Sequence, residues 1–220
     1  MIKYPKSLLE YPASLIKLLH KTDPIIYEIG ANDGSDTVRF VKYFQDATIV
    51  CFEPEPRAAK VWKQRPELAH AKLYECALGS KSGESIFYQS GGTKEGAIKE
   101  DWDFSGSLNK PTGHLEYSPW VTFKDRIVVS VEPLNKFNLN RQIDLIWMDV
   151  QGGEQNVILG GQEVLEWTRF LYTEYGHWKK PLYEGQMDLS DTQRTLGSNW
   201  KLIALYEGCN ALFQNRKVRT

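Results

Sequence analysis

The chain has 220 residues, of which 41% are hydrophobic and 25% charged, a composition typical of a protein with a folded core. Its 27 basic and 28 acidic residues give a net charge of −1, so charge provides no basis for binding nucleic acid. No apolar segment approaches the ~20 residues of a membrane span, and no complete secretory signal is present. Three cysteines without metal-ligand spacing also fit a reducing compartment. We therefore expect a single cytoplasmic domain that binds neither nucleic acid nor a membrane.

Strands and helices alternate through the first part of the chain. A helical extension is predicted within residues 1–24, followed by apolar runs that predict strands at 25–29, 48–52 and 72–77. Helices are predicted between these strands, at 35–44 and 57–63. Such alternation is typical of a parallel sheet with right-handed crossovers.

Residues 90–126 interrupt this alternation with glycines, prolines and many aromatic residues, after a short strand at 85–89. A long connection of this kind is often a lid or a binding loop. We predict that the segment borders the pocket of the substrate. The alternative is that its aromatic rings only pack the loop onto the core.

Regular patterns return in the second half of the chain. Strands are predicted at 127–131, 143–150 and 170–175, and helices at 154–165 and 185–196. The last two strands, 200–206 and 211–214, are joined by a short turn and form a hairpin. The sequence therefore predicts an α/β fold with a mixed seven-stranded sheet flanked by helices.

A glycine turn follows the first predicted strand and carries an unusual number of acids. Glu28 precedes Gly30, and Asn32 and Asp33 precede Gly34. Glycine allows a tight turn and a close approach of the backbone to a ligand. A dinucleotide site has a further glycine in the middle of this turn, where backbone N–H groups meet a pyrophosphate. An acidic turn without that glycine suits a ligand with a cationic head, such as S-adenosylmethionine.

Glu53 ends the second predicted strand, nineteen residues after Gly34, and Pro54 follows it. An acid at this position is placed to accept hydrogen bonds from a ribose diol. Chance acids beside an ordinary strand–turn–helix unit are the alternative interpretation.

The chain resembles the FkbM-type family of S-adenosylmethionine-dependent methyltransferases from about residue 25 to residue 214. The resemblance rests on the glycine turn at 28–34, on the 52–54 and 76–79 segments, on the 171–174 strand with His177, and above all on the block 148–154 with 157–161. It implies the class I methyltransferase (Rossmann-like) fold and methyl transfer to a hydroxyl of a sugar, polyketide or other natural product. Gln151 departs from the family, which usually has an acid there.

The cofactor residues follow from this assignment and from the rule that ligands of a wound sheet lie beyond the carboxyl ends of its strands. Glu28 and the turn would hold the amino acid part of the cofactor, and Glu53 its ribose. Cys76, Ala77 and Leu78 would flank the adenine.

Asp149, Glu154, Glu174 and His177 then remain on the side of the acceptor. Asp149, Glu174 and His177 could bind a divalent cation such as Mg²⁺ that lowers the pKa of the acceptor hydroxyl. In a second version Asp149 or His177 removes the proton without a metal. In a third, Asp149 and Glu154 only cap the helix that follows.

Two other classes of protein stay open at this point. A nicotinamide-dependent oxidoreductase could use a similar sheet, and a non-catalytic module could bind a nucleoside ligand without turnover. The expected partner is a small-molecule acceptor, and a homo-oligomer is compatible with the sequence.

Overall fold

The computed structural model describes residues 6–95 and 101–218. Its strands are β1 (Ile25–Ile29), β2 (Thr48–Phe52), β3 (Lys72–Tyr74), β4 (Ala77–Gly79), β5 (Gly83–Gly91), β6 (Thr122–Pro133), β7 (Ile143–Met148), β8 (Thr168–Glu174), β9 (Trp200–Tyr206) and β10 (Asn210–Asn215). Its α-helices are α1 (Pro12–Leu19), α2 (Ser35–Tyr43), α3 (Pro56–Lys63), α4 (His114–Tyr117), α5 (Glu154–Gly160), α6 (Gln162–Glu166) and α7 (Leu189–Leu196). Short 3₁₀ turns lie at Leu8–Glu10, Pro66–Leu68 and Leu134–Phe137.

The predicted seven-stranded mixed sheet is confirmed, with the order β3-β2-β1-β7-β8-β10-β9. In this sheet the first five neighbours, β3, β2, β1, β7 and β8, pair in parallel. Strand β10 is antiparallel to both β8 and β9. The chain moves outward from β1 to β3 and returns to the other side of β1 as β7. A crevice forms at such a switch point, beyond the carboxyl ends of the central strands, and ligands of wound sheets bind there.

Two apolar layers cover the sheet because successive side chains of a strand point to opposite faces. Ile26 packs on one face with Leu15 of α1, Phe40 of α2 and Trp62 of α3. On the opposite face, the β1 side chains pack with residues of α5 and α6, including Val157. Burying a side chain such as Phe40 completely contributes about 1.5–3 kcal/mol to the free energy of folding. In the described part of the chain, no helix has the length and apolar character needed to cross a membrane.

The strand predicted at 72–77 was wrong as a single element. Strand β2 offers partners only for Lys72–Tyr74, so the chain leaves the main sheet there. Ala77–Gly79 instead pairs with β6, and β6 also pairs with β5, which makes a separate three-stranded sheet. The strand predicted at 127–131 is thus the middle of a longer strand that lies outside the main sheet.

The helix predicted at 154–165 consists of two helices that meet at Gly161. This glycine is packed so closely that a Cβ atom there would lie 2.8 Å from Cδ2 of Leu134. The helix predicted at 185–196 begins only at Leu189, because the Asp188 carboxylate accepts the backbone N–H of Asp191 and caps the helix.

Candidate functional site

The turn after β1 needs glycine at both of the predicted positions. Gly30 has a φ of +86°, and a Cβ atom there would lie 1.8 Å from the carbonyl oxygen of Asp149. Gly34 has a φ of +82°, and a Cβ atom there would lie 2.6 Å from Cδ1 of Trp62. Any larger residue would therefore force apart the ends of the strands β1 and β7 or displace the side chain of Trp62.

Glu53 connects this turn to the end of β2. Its carboxylate accepts the N–H of Asn32 at 2.7 Å and the N–H of Glu55 at 2.8 Å, and the side chain is buried. Burial raises the pKa of Glu53 to about 7, although both hydrogen bonds favour the charged form. The carboxylate is thereby held in one orientation at the mouth of two parallel strands.

Glu28 and Asp33 have different surroundings. Glu28 is 1% exposed, accepts the hydroxyl of Thr37 at 2.5 Å, and has a pKa raised by burial to about 8. Asp33 pairs with the Arg65 guanidinium and accepts the N–H of Ser35 at 2.9 Å. The carboxylate of Asp33 therefore holds the start of α2 in place rather than standing free for a ligand.

A cleft of about 210 Å³ lies beyond the carboxyl ends of β1, β2 and β7. Most of the predicted cofactor residues line it, namely Glu28, Gly30, Asn32, Asp33, Glu53, Pro54, Cys76, Ala77 and Leu78. Gly34 does not line the cleft and supports the turn from behind. The lining is strongly acidic, and among the described residues that form it none is lysine, arginine or histidine. Such a cleft favours cationic or neutral ligands over anions.

Three carboxylates meet on the far side of Gly30. Asp149 lines the cleft directly after β7, Glu174 ends β8, and Glu154 begins α5. Each offers an oxygen atom within 4.8 Å of those of the other two. Asp149 is exposed to solvent, but the surrounding walls of the cleft desolvate its carboxylate and raise its pKa. Burial raises the pKa of Glu154 to about 7. Burial, together with the charges of Asp149 and Glu154, raises the pKa of Glu174 well above its ordinary value.

The structure does not bring His177 into this group. Its ring contacts the sulfur of Cys209, with Nδ1 at 2.5 Å from Sγ, and it lies beside Trp178 on the surface. The predicted set of metal ligands therefore needs correction, because Glu154 stands where His177 was expected. No side-chain hydrogen bond caps the first residue of α5, so the predicted capping role is not what the two acids do there. Glu154 instead accepts the N–H groups of Val150 and Gly152 in the turn before the helix.

The side chain of Gln151 lies between the carboxylates of Asp149 and Glu174 and the buried hydroxyl of Tyr183. Its Nε2 donates to Oδ1 of Asp149 at 2.7 Å and to Oε2 of Glu174 at 3.4 Å. Its Oε1 accepts the hydroxyl of Tyr183 at 2.9 Å, and that hydroxyl also lies 2.8 Å from the carbonyl oxygen of Ser105. Tyr183 is completely buried.

Part of the segment predicted to border the pocket does line the cleft. Residues 101–109, here called the strap, contribute Asp103, Phe104, Gly106 and Leu108 to its wall. The Asp103 carbonyl accepts Nδ2 of Asn32 at 3.3 Å, and Oγ of Ser107 donates to the carbonyl of Gln151 at 2.7 Å. The strap thus contacts both the glycine turn after β1 and the segment that follows β7. The ends of the segment predicted at 90–126 belong to β5 and β6, and residues 96–100 lie outside the described part.

Two residues of the site were missed from the sequence. Asp36 lines the cleft close enough to Asp149 for their charges to interact, and burial raises its pKa. An acid in the first turn of a helix that follows a ligand-binding turn is the signal that could have found it. Tyr183 has no such signal, because thirty-two positions separate it from Gln151 and only the fold brings them together.

Comparison with known proteins gives the family. The sequence profile described as the Methyltransferase FkbM domain matches residues 28–199. The chain belongs to the FkbM methyltransferase family. It is 43% identical over 225 residues to the 2-O-methyltransferase NoeI of Sinorhizobium fredii (strain NBRC 101917 / NGR234), covering 99% of this chain and 90% of that protein. The oxidoreductase and the non-catalytic binding module were therefore wrong as alternatives.

Solved structures support the fold. The FkbM methyltransferase of Methylobacillus flagellatus KT has a TM-score of 0.54 and 10% identity, over 88% of this chain and 44% of that one. This chain thus spans less than half of that protein. A structure from Clostridium thermocellum described as a putative rRNA-methylase also has a TM-score of 0.54, at 7% identity, over 99% of this chain and 100% of that one. The predicted class I methyltransferase fold is confirmed.

The residues of the cleft fit S-adenosylmethionine, the cofactor of this methyltransferase. The acidic lining without basic residues suits its sulfonium and ammonium groups. Glu53 would hold the ribose hydroxyls, since its carboxylate is fixed by two backbone N–H groups at the cleft. Cys76, Ala77 and Leu78 form an apolar part of the wall of the cleft, which would suit the adenine. When bound, the cofactor supplies an activated methyl group.

Proposed function

We propose that this methyltransferase methylates a hydroxyl oxygen of an uncharged sugar or similar small natural product, and that Asp149 accepts the proton of that hydroxyl. The observation that carries the proposal is the position of Asp149. It follows the central strand β7, lines the cleft, and lies against the glycine turn through the contact of its carbonyl with Gly30. A carboxylate at this position would lie between the part of the cleft proposed for the cofactor, at the glycine turn, and the part proposed for the acceptor, at Glu174.

The chemical class of the acceptor rests on two further observations. A relative that is 43% identical is named a 2-O-methyltransferase, which supports oxygen as the methylated atom. The cleft has an acidic lining, so a phosphate or carboxylate close to the reacting hydroxyl would be repelled. The exposed ring of Phe104, which packs against Trp102 in a tilted arrangement, offers an apolar surface for the face of a sugar ring.

Asp149 contributes as a positioned general base. Because desolvation by the walls of the cleft raises its pKa, the carboxylate binds a proton more readily than an ordinary aspartate. A well-placed base typically accelerates a reaction by about 10²–10⁴-fold. The strap and Phe104 would exclude water and align the acceptor hydroxyl. A cation held by Asp149 and Glu174 is the alternative means of activating the hydroxyl. In that case turnover would depend on added metal, which distinguishes it from a general base.

We also propose a cytoplasmic, reducing location, which the three free cysteines support. The small-molecule acceptor is the expected partner. The nearly neutral net charge of the whole chain supports the proposal that nucleic acid is not bound.

The test uses methyl-labelled S-adenosylmethionine with a panel of neutral methyl glycosides, each matched by its uronic acid and its sugar phosphate. We expect label on the neutral members and none on the anionic ones. Asp149→Asn should bind the cofactor within about twofold of wild type and lose at least about 100-fold in turnover. Near-normal turnover in Asp149→Asn would refute the role of Asp149, and preferential labelling of the anionic members would refute the acceptor class.

A further inference from the structure

Gln151 occupies the position between two carboxylates that a shared cation would take. Its Nε2 lies 2.7 Å from an oxygen of Asp149 and 3.4 Å from an oxygen of Glu174. A divalent ion bridging these two groups would need oxygen distances of about 2.0–2.6 Å in the same space. An ion placed between these two oxygens would compete with the amide nitrogen for the same space.

The orientation of this amide is determined by its neighbours. An ionised carboxylate only accepts hydrogen bonds, so the NH₂ group of Gln151 faces Asp149, whose Oδ1 lies 2.7 Å from Nε2. Its oxygen then faces the hydroxyl of Tyr183, whose single proton is shared between Oε1 of Gln151 at 2.9 Å and the carbonyl oxygen of Ser105 at 2.8 Å. The two N–H donors and one acceptor of the amide match two carboxylates and one phenol.

The backbone around Gln151 is held in an unusual conformation by the strap. Gln151 has a φ of +54°, which is costly for a residue with a side chain. Ser107 Oγ donates to the carbonyl of Gln151, and Nδ2 of Asn109 donates to the carbonyl of Gly152, both at 2.7 Å. Gly152 itself packs against Tyr183, where a Cβ atom would approach to 2.8 Å. The chain thus maintains local strain that directs this side chain between the acids.

We propose that Gln151 is a positioning residue whose amide holds Asp149 and Glu174 in place of a divalent cation, and that Tyr183 fixes the amide. The inference rests on the proposed role of Asp149, through which Gln151 acts. It implies that the wild-type enzyme works without a metal. It also implies that an acid at position 151 would turn the same cluster into a cation site, because a third carboxylate would replace the two donors.

The first experiment measures cation binding without turnover. Wild type, Gln151→Glu and a surface control, Gln193→Ala, are melted with and without millimolar Mg²⁺ or Mn²⁺, with no cofactor present. We expect the ions to raise the melting temperature of Gln151→Glu by several degrees and to leave the other two unchanged. An equal shift in wild type would overturn the inference.

The second experiment measures turnover with the best acceptor of the glycoside panel. Gln151→Ala should lower kcat at least tenfold with little change in the KM for S-adenosylmethionine. Wild-type turnover should resist chelator, whereas Gln151→Glu should be slow and partly restored by Mg²⁺. Tyr183→Phe should lower kcat less, and should add nothing in the Gln151→Ala background, since Tyr183 acts through Gln151.

These outcomes separate this inference from the proposed function. If Asp149→Asn is inactive while Gln151→Ala keeps wild-type kcat, the positioning role is refuted and the general base stands. Loss of wild-type activity with chelator and its return with Mg²⁺ would also refute it. Near-normal turnover in Asp149→Asn would instead remove the function on which both rest.

Discussion

The cofactor half of the cleft is built by two short turns, whereas the acceptor half is assembled from distant segments. In the first half, Glu53 accepts the N–H groups of Asn32 and Glu55 and so joins the ends of the neighbouring strands β1 and β2. In the second half, Gln151 and Tyr183 meet only through the tertiary structure, and the strap lies over both. The difference indicates that a single substitution in the second half disturbs segments far apart in the sequence, whereas one in the first half acts mainly on the two turns.

The largest effect is expected from breaking the cofactor half at Glu53. Glu53→Ala removes the carboxylate that we propose accepts charge-assisted hydrogen bonds from the ribose, each contributing roughly 1.5–3 kcal/mol. We expect the affinity for S-adenosylmethionine to fall by about 100-fold or more, measured by calorimetry. In melting experiments S-adenosylmethionine and S-adenosylhomocysteine should stabilise wild type, and NAD should not.

The controls for this variant address the backbone contacts that are lost with the carboxylate. Glu163→Ala removes an exposed acid on α6 and should bind as wild type. Glu53→Gln keeps an acceptor oxygen for the turn, so it should bind S-adenosylmethionine more tightly than Glu53→Ala does. Wild-type affinity in Glu53→Ala would reject the ribose assignment.

The sequence predicted the cofactor half well because its signals are local. Spacing alone placed Glu53 at the end of β2. The glycine pattern predicted a turn, and in the structure that turn requires a positive φ at Gly30 and Gly34. By contrast, the division of the predicted third strand into β3 and β4 depends on where β2 ends, and that is a property of pairing. Tyr183 could not be predicted, because no periodicity or motif connects it with Gln151.

A second prediction concerns the pH dependence of stability. The pKa of Glu28 is about 8 in the folded protein, raised by burial from an ordinary value of 4.5. The folded state therefore binds this proton more tightly than the unfolded state. Its contribution to stability is complete below about pH 4.5 and is lost as pH rises through about 8, by at most about 1.4 kcal/mol per pH unit.

Thermal unfolding of the ligand-free protein between pH 5.5 and 8.5 measures this effect as a difference between two proteins. Glu28→Gln keeps an acceptor for the Thr37 hydroxyl but cannot titrate, so its melting temperature should fall less with rising pH than that of wild type. The difference cancels other groups that titrate in this range, such as Glu53 and Glu154. Parallel curves for the two proteins would show that Glu28 is ionised throughout.

The smallest effect is expected at the strap, which we propose is a cover over the acceptor. Its Asp101 pairs with Arg57 at 3.3 Å on the surface, a kind of contact that contributes at most about 1 kcal/mol. Asp101→Asn keeps an oxygen for the N–H of Gly92 and removes only the charge. We expect strap amides to exchange up to about fivefold faster in this variant, with β7 unchanged and with Asp125→Asn, an exposed acid on β6, as control.

In wild type, cofactor and acceptor together should slow exchange in the strap, because a cover that closes must gain protection from what it encloses. Uniformly strong protection in the free protein would mean that the edge-to-face contact of Trp102 with Trp120 holds the strap as a fixed wall. The acceptor half would then be as rigid as the cofactor half, and the two would differ only in how many segments build them.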